Sequence, residues 1–324
     1  MFLEVEDQVM ASLKSKYLAA RLALLVALAA TASPALADDG AWEVAQSIIR
    51  LIAGTSKEDV ATQTPPGAER ITFPAADGEL TAELFRPAGA GPFPAVVALH
   101  GCSGLYNREG TDLSARHRDW ANRLVAAGYV VLFADSFSAR GFNEICKIKD
   151  RPISPKDRAG DAMAAARWLL TQGFVDPSRV NLMGWSHGAM SVLWAVLPEP
   201  GTPSPLFASA VAFYPGCREI ARQSDWRPVV PLTLLTGGSD DWTEPGPCRE
   251  LSHNTSFRFI EYPGAYHDFD APDTPVHTRR GLSAVRGGVA HVGTNLDARR
   301  AAIDVVINTF SNSRLEREPA TPKP

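Results

Sequence analysis

Uninterrupted apolar runs recur through the middle of the chain, and between them apolar residues fall three and four positions apart. Residues 94–99 (PAVVAL) and 129–134 (YVVLFA) carry no polar side chain except the Tyr129 hydroxyl. Such continuous runs predict strands buried on both faces of a parallel sheet. Residues 180–183, 208–214, 229–235 and 257–262 read the same way. Helical spacing marks segments near 114–127, 156–171, 187–196 and 296–310, and Ser154-Pro155 stands at the start of the second. Earlier, residues 70–73 and 80–85 flank a turn at Ala76-Asp77-Gly78 and predict an antiparallel hairpin. Strands alternating with helices predict an α/β fold, a mostly parallel central sheet with helices on both faces.

The N-terminal segment follows a different logic. Lys14, Lys16 and Arg21 precede an apolar run at 22–30, and Ala35-Leu36-Ala37 supplies small residues before Asp38. A basic stretch, a short apolar core and an A-x-A ending predict a secretory signal peptide over residues 1–37. The run is shorter than the ~20 residues of a membrane span. Met10 suits the start of such a segment better than the acidic stretch before it. Residues 38–60 form an N-terminal extension whose Trp42, Val44, Ile48, Ile49 and Ile52 are spaced as in a helix. One domain is predicted over 61–312, and the charged, Pro-rich residues 313–324 read as a flexible tail. The expected location is periplasmic or secreted, without stable membrane association after cleavage. A net charge of −4 with no long basic run argues against a nucleic-acid partner.

Four segments carry the candidate chemistry. Gly184-Trp185-Ser186-His187-Gly188 matches G-x-S-x-G between a predicted strand and a predicted helix, where a nucleophile elbow requires it. A serine nucleophile needs a base, and the base needs an orienting acid. Downstream, Asp240 and Asp241 end one predicted strand, and His267 follows the last one. Both lie at the carboxyl ends of strands, in the chain order serine, acid, histidine. The loop at 100–104 (HGCSG) is the candidate second half of an oxyanion hole, pairing the Cys102 N–H with that of His187. Arg140, Trp185 and Trp242 are candidate substrate-binding residues, each with a plain structural role as its alternative. No C-x-x-C or H-x-x-x-H spacing suggests a metal, and no cofactor is expected. All four cysteines lie beyond residue 37. Cys217 and Cys248 follow successive strands, so a disulfide between them is expected; Cys102 and Cys146 stand in a similar relation.

These segments resemble the dienelactone hydrolase family of the α/β-hydrolase superfamily. The matching stretches are HGCSG (100–104), DSFSARG (135–141), GWSHG (184–188), FYPGC (213–217), GGSDDWTEPGPC (237–248) and YPGAYHDF (262–269). The resemblance spans about residues 70 to 310. It implies hydrolysis of a small carboxylic ester or lactone without a metal, by a catalytic triad of Ser186, Asp240 and His267. Its pattern selects Asp240 over Asp241 through Gly237 and Thr243. The enzymes that give the family its name use a cysteine nucleophile where this chain has Ser186, so the dienelactone substrate itself does not carry over. Acyl transfer or peptide hydrolysis on the same fold is the alternative, as is a non-catalytic binding protein with a broken triad.

Overall fold

The computed structural model describes residues 68–198 and 205–315. The expected signal peptide and the extension at 38–60 lie outside those residues, as do 316–324 of the expected tail.

The sheet is built from eight strands. The first hairpin pairs β1 (Glu69–Ala75) with β2 (Gly78–Phe85). Then come β3 (Phe93–Leu99), β4 (Val130–Asp135), β5 (Val175–Trp185), β6 (Ala210–Phe213), β7 (Leu232–Gly237) and β8 (Arg258–Tyr262). Their order across the sheet is β1-β2-β4-β3-β5-β6-β7-β8. β2 alone runs against the other strands, paired antiparallel with β1 and with β4, and β3 through β8 run parallel. The expected mostly parallel α/β sheet is therefore the observed one. From β3 the chain moves one way to β4 and later returns to β5 on the other side. Loops leaving β3 and β5 diverge there and open a crevice at the strands' carboxyl ends, the usual place for a site in such sheets.

Two apolar layers sandwich the sheet. Ala95, Val97 and Leu99 of β3 pack with α2 (Pro155–Leu170) and α3 (His187–Ala195). Val96 and Ala98 point the other way, into a cluster with α1 (Ala115–Ala126) and α5 (Leu296–Ser311). The period-two alternation of a strand thus feeds both layers. Local sequence sets the helix starts. Ser154 and Asp157 form a reciprocal capping box around Pro155, and the Asn295 side chain accepts from the Ala298 N–H at 3.1 Å.

Some boundaries differ from those read in the sequence. β5 begins at Val175 rather than near 180, and its fully buried Asn181 is satisfied by Ser209 and Ser313 hydroxyls at 2.9 and 2.6 Å. β7 begins after Pro231, which has no N–H to give the ladder. Helix α4 (Gly246–Asn254) and a small antiparallel hairpin of β9 (His277–Arg280) and β10 (Val289–Val292) were not expected. Residues 313–315, the start of the expected tail, are held against the domain. Ser313 is buried, and the Leu315 N–H donates to Ser178 O at 2.8 Å.

Candidate active site

Ser186 sits between the end of β5 and the first residue of α3, with φ 51° and ψ −114°. That backbone is strained for any side chain and costs on the order of 1–3 kcal/mol, held in place by its surroundings. The flanking glycines explain how the turn closes. A Cβ on Gly188 would come within 2.1 Å of Leu99 O, and one on Gly184 within 2.5 Å of Gly188 O. Helix α3 can therefore close on the end of β3 only with hydrogen at Gly188, and on the end of β5 only with hydrogen at Gly184. Ser186 N donates to Phe213 O at 2.9 Å, so the neighbouring strand also holds the turn.

His267 lies in the loop after β8, nearly fully buried. Its Nδ1 is 2.7 Å from Asp240 Oδ2, and no protein group among the described residues bonds its Nε2. Asp240 is buried too. Its Oδ1 accepts from the Trp242 and Thr243 N–H groups at 2.8 and 2.9 Å, which fixes the carboxylate with Oδ2 towards the imidazole. Thr243 Oγ1 lies 2.9 Å from Tyr214 O, 3.0 Å from Asp240 Oδ2 and 3.1 Å from His267 Nδ1. The imidazole is flanked by Tyr214 and Trp242, with ring centroids 4.4 and 4.6 Å away. Asp241 turns elsewhere and accepts from the His291 N–H and Nδ1 at 2.8 and 2.7 Å. Of the two carboxylates left open by position alone, Asp240 is the one brought to His267.

The loop after β3 brings Cys102 to the same crevice, where Gly101 lies against Ser186. Among the described residues, neither the Cys102 nor the His187 backbone N–H has a protein acceptor. Both segments are tied to a fully buried arginine that the sequence did not reveal. Arg158 Nη2 donates to His100 O at 2.7 Å, and its Nη1 donates to His187 Nδ1 at 3.0 Å. Burial pushes Arg158 down to about 9, partly opposed by Asp161 and Asp135. Burial, reinforced by Arg158, also holds His100 and His187 well below the usual histidine range. His187 is therefore a neutral acceptor whose ring is turned to Arg158. Cys102 is disulfide-bonded to Cys146, and Cys217 to Cys248.

Two cavities meet at Ser186 and Trp242. One of about 1060 Å³ is also lined by Met190, Val285, Val289 and Arg151. The other, about 540 Å³, is lined by Cys102, His267, Arg116 and Arg279. Trp242 thus stands where a substrate-binding residue must, with Arg279 5.1 Å above its ring. The other two substrate-binding candidates do not. Arg140 lines neither cavity; its guanidinium is held by Asp161 at 2.8 and 2.9 Å and by Ser136 O at 2.8 Å. Trp185 is fully buried, stacked between Phe133 and Phe213. The β9–β10 hairpin crosses the site and is bonded to it: Val292 bridges to His267, and Gly293 N donates to His267 O at 3.0 Å.

Comparison with known proteins bears on the fold and the family. A sequence model of the dienelactone hydrolase family matches residues 80–312. Among solved structures, a Klebsiella pneumoniae protein assigned as a dienelactone hydrolase is 18% identical; the match covers 76% of this chain and 98% of that one, with a TM-score of 0.58. A hyperthermophilic esterase from Pyrobaculum calidifontis is 18% identical, with 85% and 93% covered and a TM-score of 0.54. A dienelactone hydrolase-like promiscuous phosphotriesterase from metagenomic libraries is 19% identical, with 76% and 98% covered and a TM-score of 0.55. At these identities the solved structures speak for the fold, and the family match covers most of the sequence. The chain belongs to the dienelactone hydrolase family, and with it among the hydrolases that act on esters.

Proposed function

We propose that the protein is an exported serine hydrolase that cleaves a carboxylic ester or lactone through Ser186, His267 and Asp240. The observation that carries this reading is the buried His267–Asp240 pair at 2.7 Å, on the wall of a cavity shared with Ser186 at its strained turn. Ser186 Oγ attacks the substrate carbonyl while His267 Nε2 takes its proton. Asp240 keeps the remaining proton on Nδ1 and stabilises the imidazolium. The N–H groups of Cys102 and His187 receive the oxyanion, which needs donors fixed in advance of the charge. The intermediate collapses, the leaving oxygen takes the proton from Nε2, and water then hydrolyses the acyl-enzyme by the same route in reverse.

The two cavities divide the substrate. The leaving oxygen must come within reach of His267, which lines only the smaller cavity. The acyl group then occupies the larger one, against Met190, Trp242 and Val289. Two disulfides suit a chain that matures in an oxidising compartment, and no helix among the described residues is long and apolar enough to cross a membrane. A fluorophosphonate probe tests the nucleophile. Ser186→Ala is expected to remove both labelling and turnover of p-nitrophenyl esters, leaving only the roughly 10³–10⁴-fold over water that binding and the oxyanion hole supply. Labelling at another residue, or turnover near wild type in Ser186→Ala, overturns the assignment.

A further inference from the structure

Asp270 lies three residues beyond His267, fully buried, and no step above uses it. Its carboxylate collects hydrogen bonds from three separate parts of the fold. Trp120 Nε1 of α1 and Trp185 Nε1 of β5 both donate to Oδ2 at 2.8 Å. Tyr214, just after β6, donates its hydroxyl to Oδ1 at 2.5 Å. Arg116 stands 3.7 Å from Oδ1, and Arg299 Nη1 donates to the Asp270 carbonyl at 2.5 Å. A buried carboxylate is costly unless its oxygens are satisfied, and here neutral donors converge on both. Burial pushes the Tyr214 hydroxyl well above its ordinary range, so it stays a donor.

The partners are what give this cluster meaning. Trp185 is covalently next to Ser186. Tyr214 packs its ring against His267, and its carbonyl lies 2.9 Å from Thr243 Oγ1, itself 3.0 Å from Asp240 Oδ2. One carboxylate thus reaches the candidate nucleophile, base and acid, each through a single intermediary or two. We propose that Asp270 is a positioning residue that sets the His267 loop in register with Ser186 by bonding Trp185 and Tyr214 together. The proposal rests on reading Ser186, Asp240 and His267 as the triad. It requires an acceptor-only side chain, because every side-chain group that bonds the carboxylate is a donor. Asp270→Asn keeps the shape but turns an NH₂ towards a donor.

The test compares Asp270→Asn and Tyr214→Phe with wild type, each first shown by circular dichroism and thermal melting to be folded at the assay temperature. Steady-state kinetics on a p-nitrophenyl ester and the rate of fluorophosphonate labelling at Ser186 are then measured. Misplacement of a reacting group by about 1 Å costs roughly 10²-fold, so kcat of Asp270→Asn is expected to fall by about that factor. Tyr214→Phe, which leaves the two tryptophan bonds, is expected to lose about tenfold, with KM within about threefold in both and labelling slowed in parallel. A folded Asp270→Asn with wild-type kcat, or with its loss confined to KM, overturns the proposal. Should Asp270→Asn not fold, wild-type kcat in Tyr214→Phe overturns it equally. Wild-type protein that does not label at Ser186 sinks the triad and this proposal together; labelling at Ser186 with unaffected variants sinks this proposal alone.

Discussion

Replacing Asp240 by Asn isolates what the carboxylate contributes beyond shape. The Trp242 and Thr243 N–H groups donate to Oδ1 at 2.8 and 2.9 Å, and an asparagine keeps both bonds by placing its carbonyl oxygen there. At about 1 kcal/mol each, the two bonds hold it in that orientation. The NH₂ then faces His267 Nδ1, where Oδ2 now sits at 2.7 Å. A donor at that place forces Nδ1 to accept and puts the imidazole proton on Nε2. The base is then blocked in the one position from which it must take the Ser186 proton. Loss of the correct tautomer with geometry intact costs about 10⁴ in kcat, or about 5.4 kcal/mol of barrier. Asp241→Asn is the control of matching chemistry. It weakens an exposed pair with His291, the sort of contact worth about 0.2–1 kcal/mol, and is expected to leave kcat within a few-fold of wild type. The assay is kcat on a p-nitrophenyl ester for both variants, with thermal melts to show that each is folded. An Asp240→Asn enzyme within about tenfold of wild type, or an Asp241→Asn enzyme slower than it, refutes the reasoning.

Two other expectations concern stability. The Cys217–Cys248 bridge closes 31 residues, for which chain entropy gives about 3.7 kcal/mol as an upper figure. A Cys217→Ser, Cys248→Ser double variant should lose much of that in urea unfolding, and a loss under about 1 kcal/mol counts against it. Burial, reinforced by Arg116, lowers His117 from 6.5 to about 3. Its folded form therefore stays neutral while the unfolded chain takes a proton, so stability falls as pH drops from 6.5 towards 3. His117→Gln should flatten that slope by up to about 1.4 kcal/mol per pH unit, and unchanged slopes in urea titrations would exclude the assignment.

The sequence made the site's framework legible because its parts are local. The apolar runs at β3, β4 and β6 follow from burial on both faces, whereas β8 is a half-buried edge strand, and the strand–G-x-S-x-G–helix order needs only neighbouring residues. His267 and the Asp240 loop were readable from their places after strands, although their pairing spans 27 residues. What stayed hidden depends on distance along the chain. Asp270 meets Trp120, Trp185 and Tyr214 across 150, 85 and 56 residues, and nothing in its own segment announces them. Arg140 looked available because its partner Asp161 lies 21 residues away on α2. The Cys217–Cys248 pairing was within reach because it followed from the adjacency of β6 and β7. The β9–β10 hairpin escaped because β9 (HTRR) is mostly exposed and has no apolar alternation to mark it.

That hairpin also determines how the site can move. Its strand β10 is bridged to His267 at Val292, the Gly293 N–H holds the His267 carbonyl, and His291 grips the residue next to Asp240. A lid that opens for substrate must be able to swing without carrying the catalytic groups along. Here, lifting the hairpin would drag the base out of alignment and pull on the acid. On that reading the hairpin is not the lid, and substrate enters the two cavities beside it. The cost of organising the catalytic groups is met during folding rather than once per turnover. On the proposed triad, opening of this hairpin does not gate turnover, so hinge substitutions at its base should matter less than the shape of the two cavities.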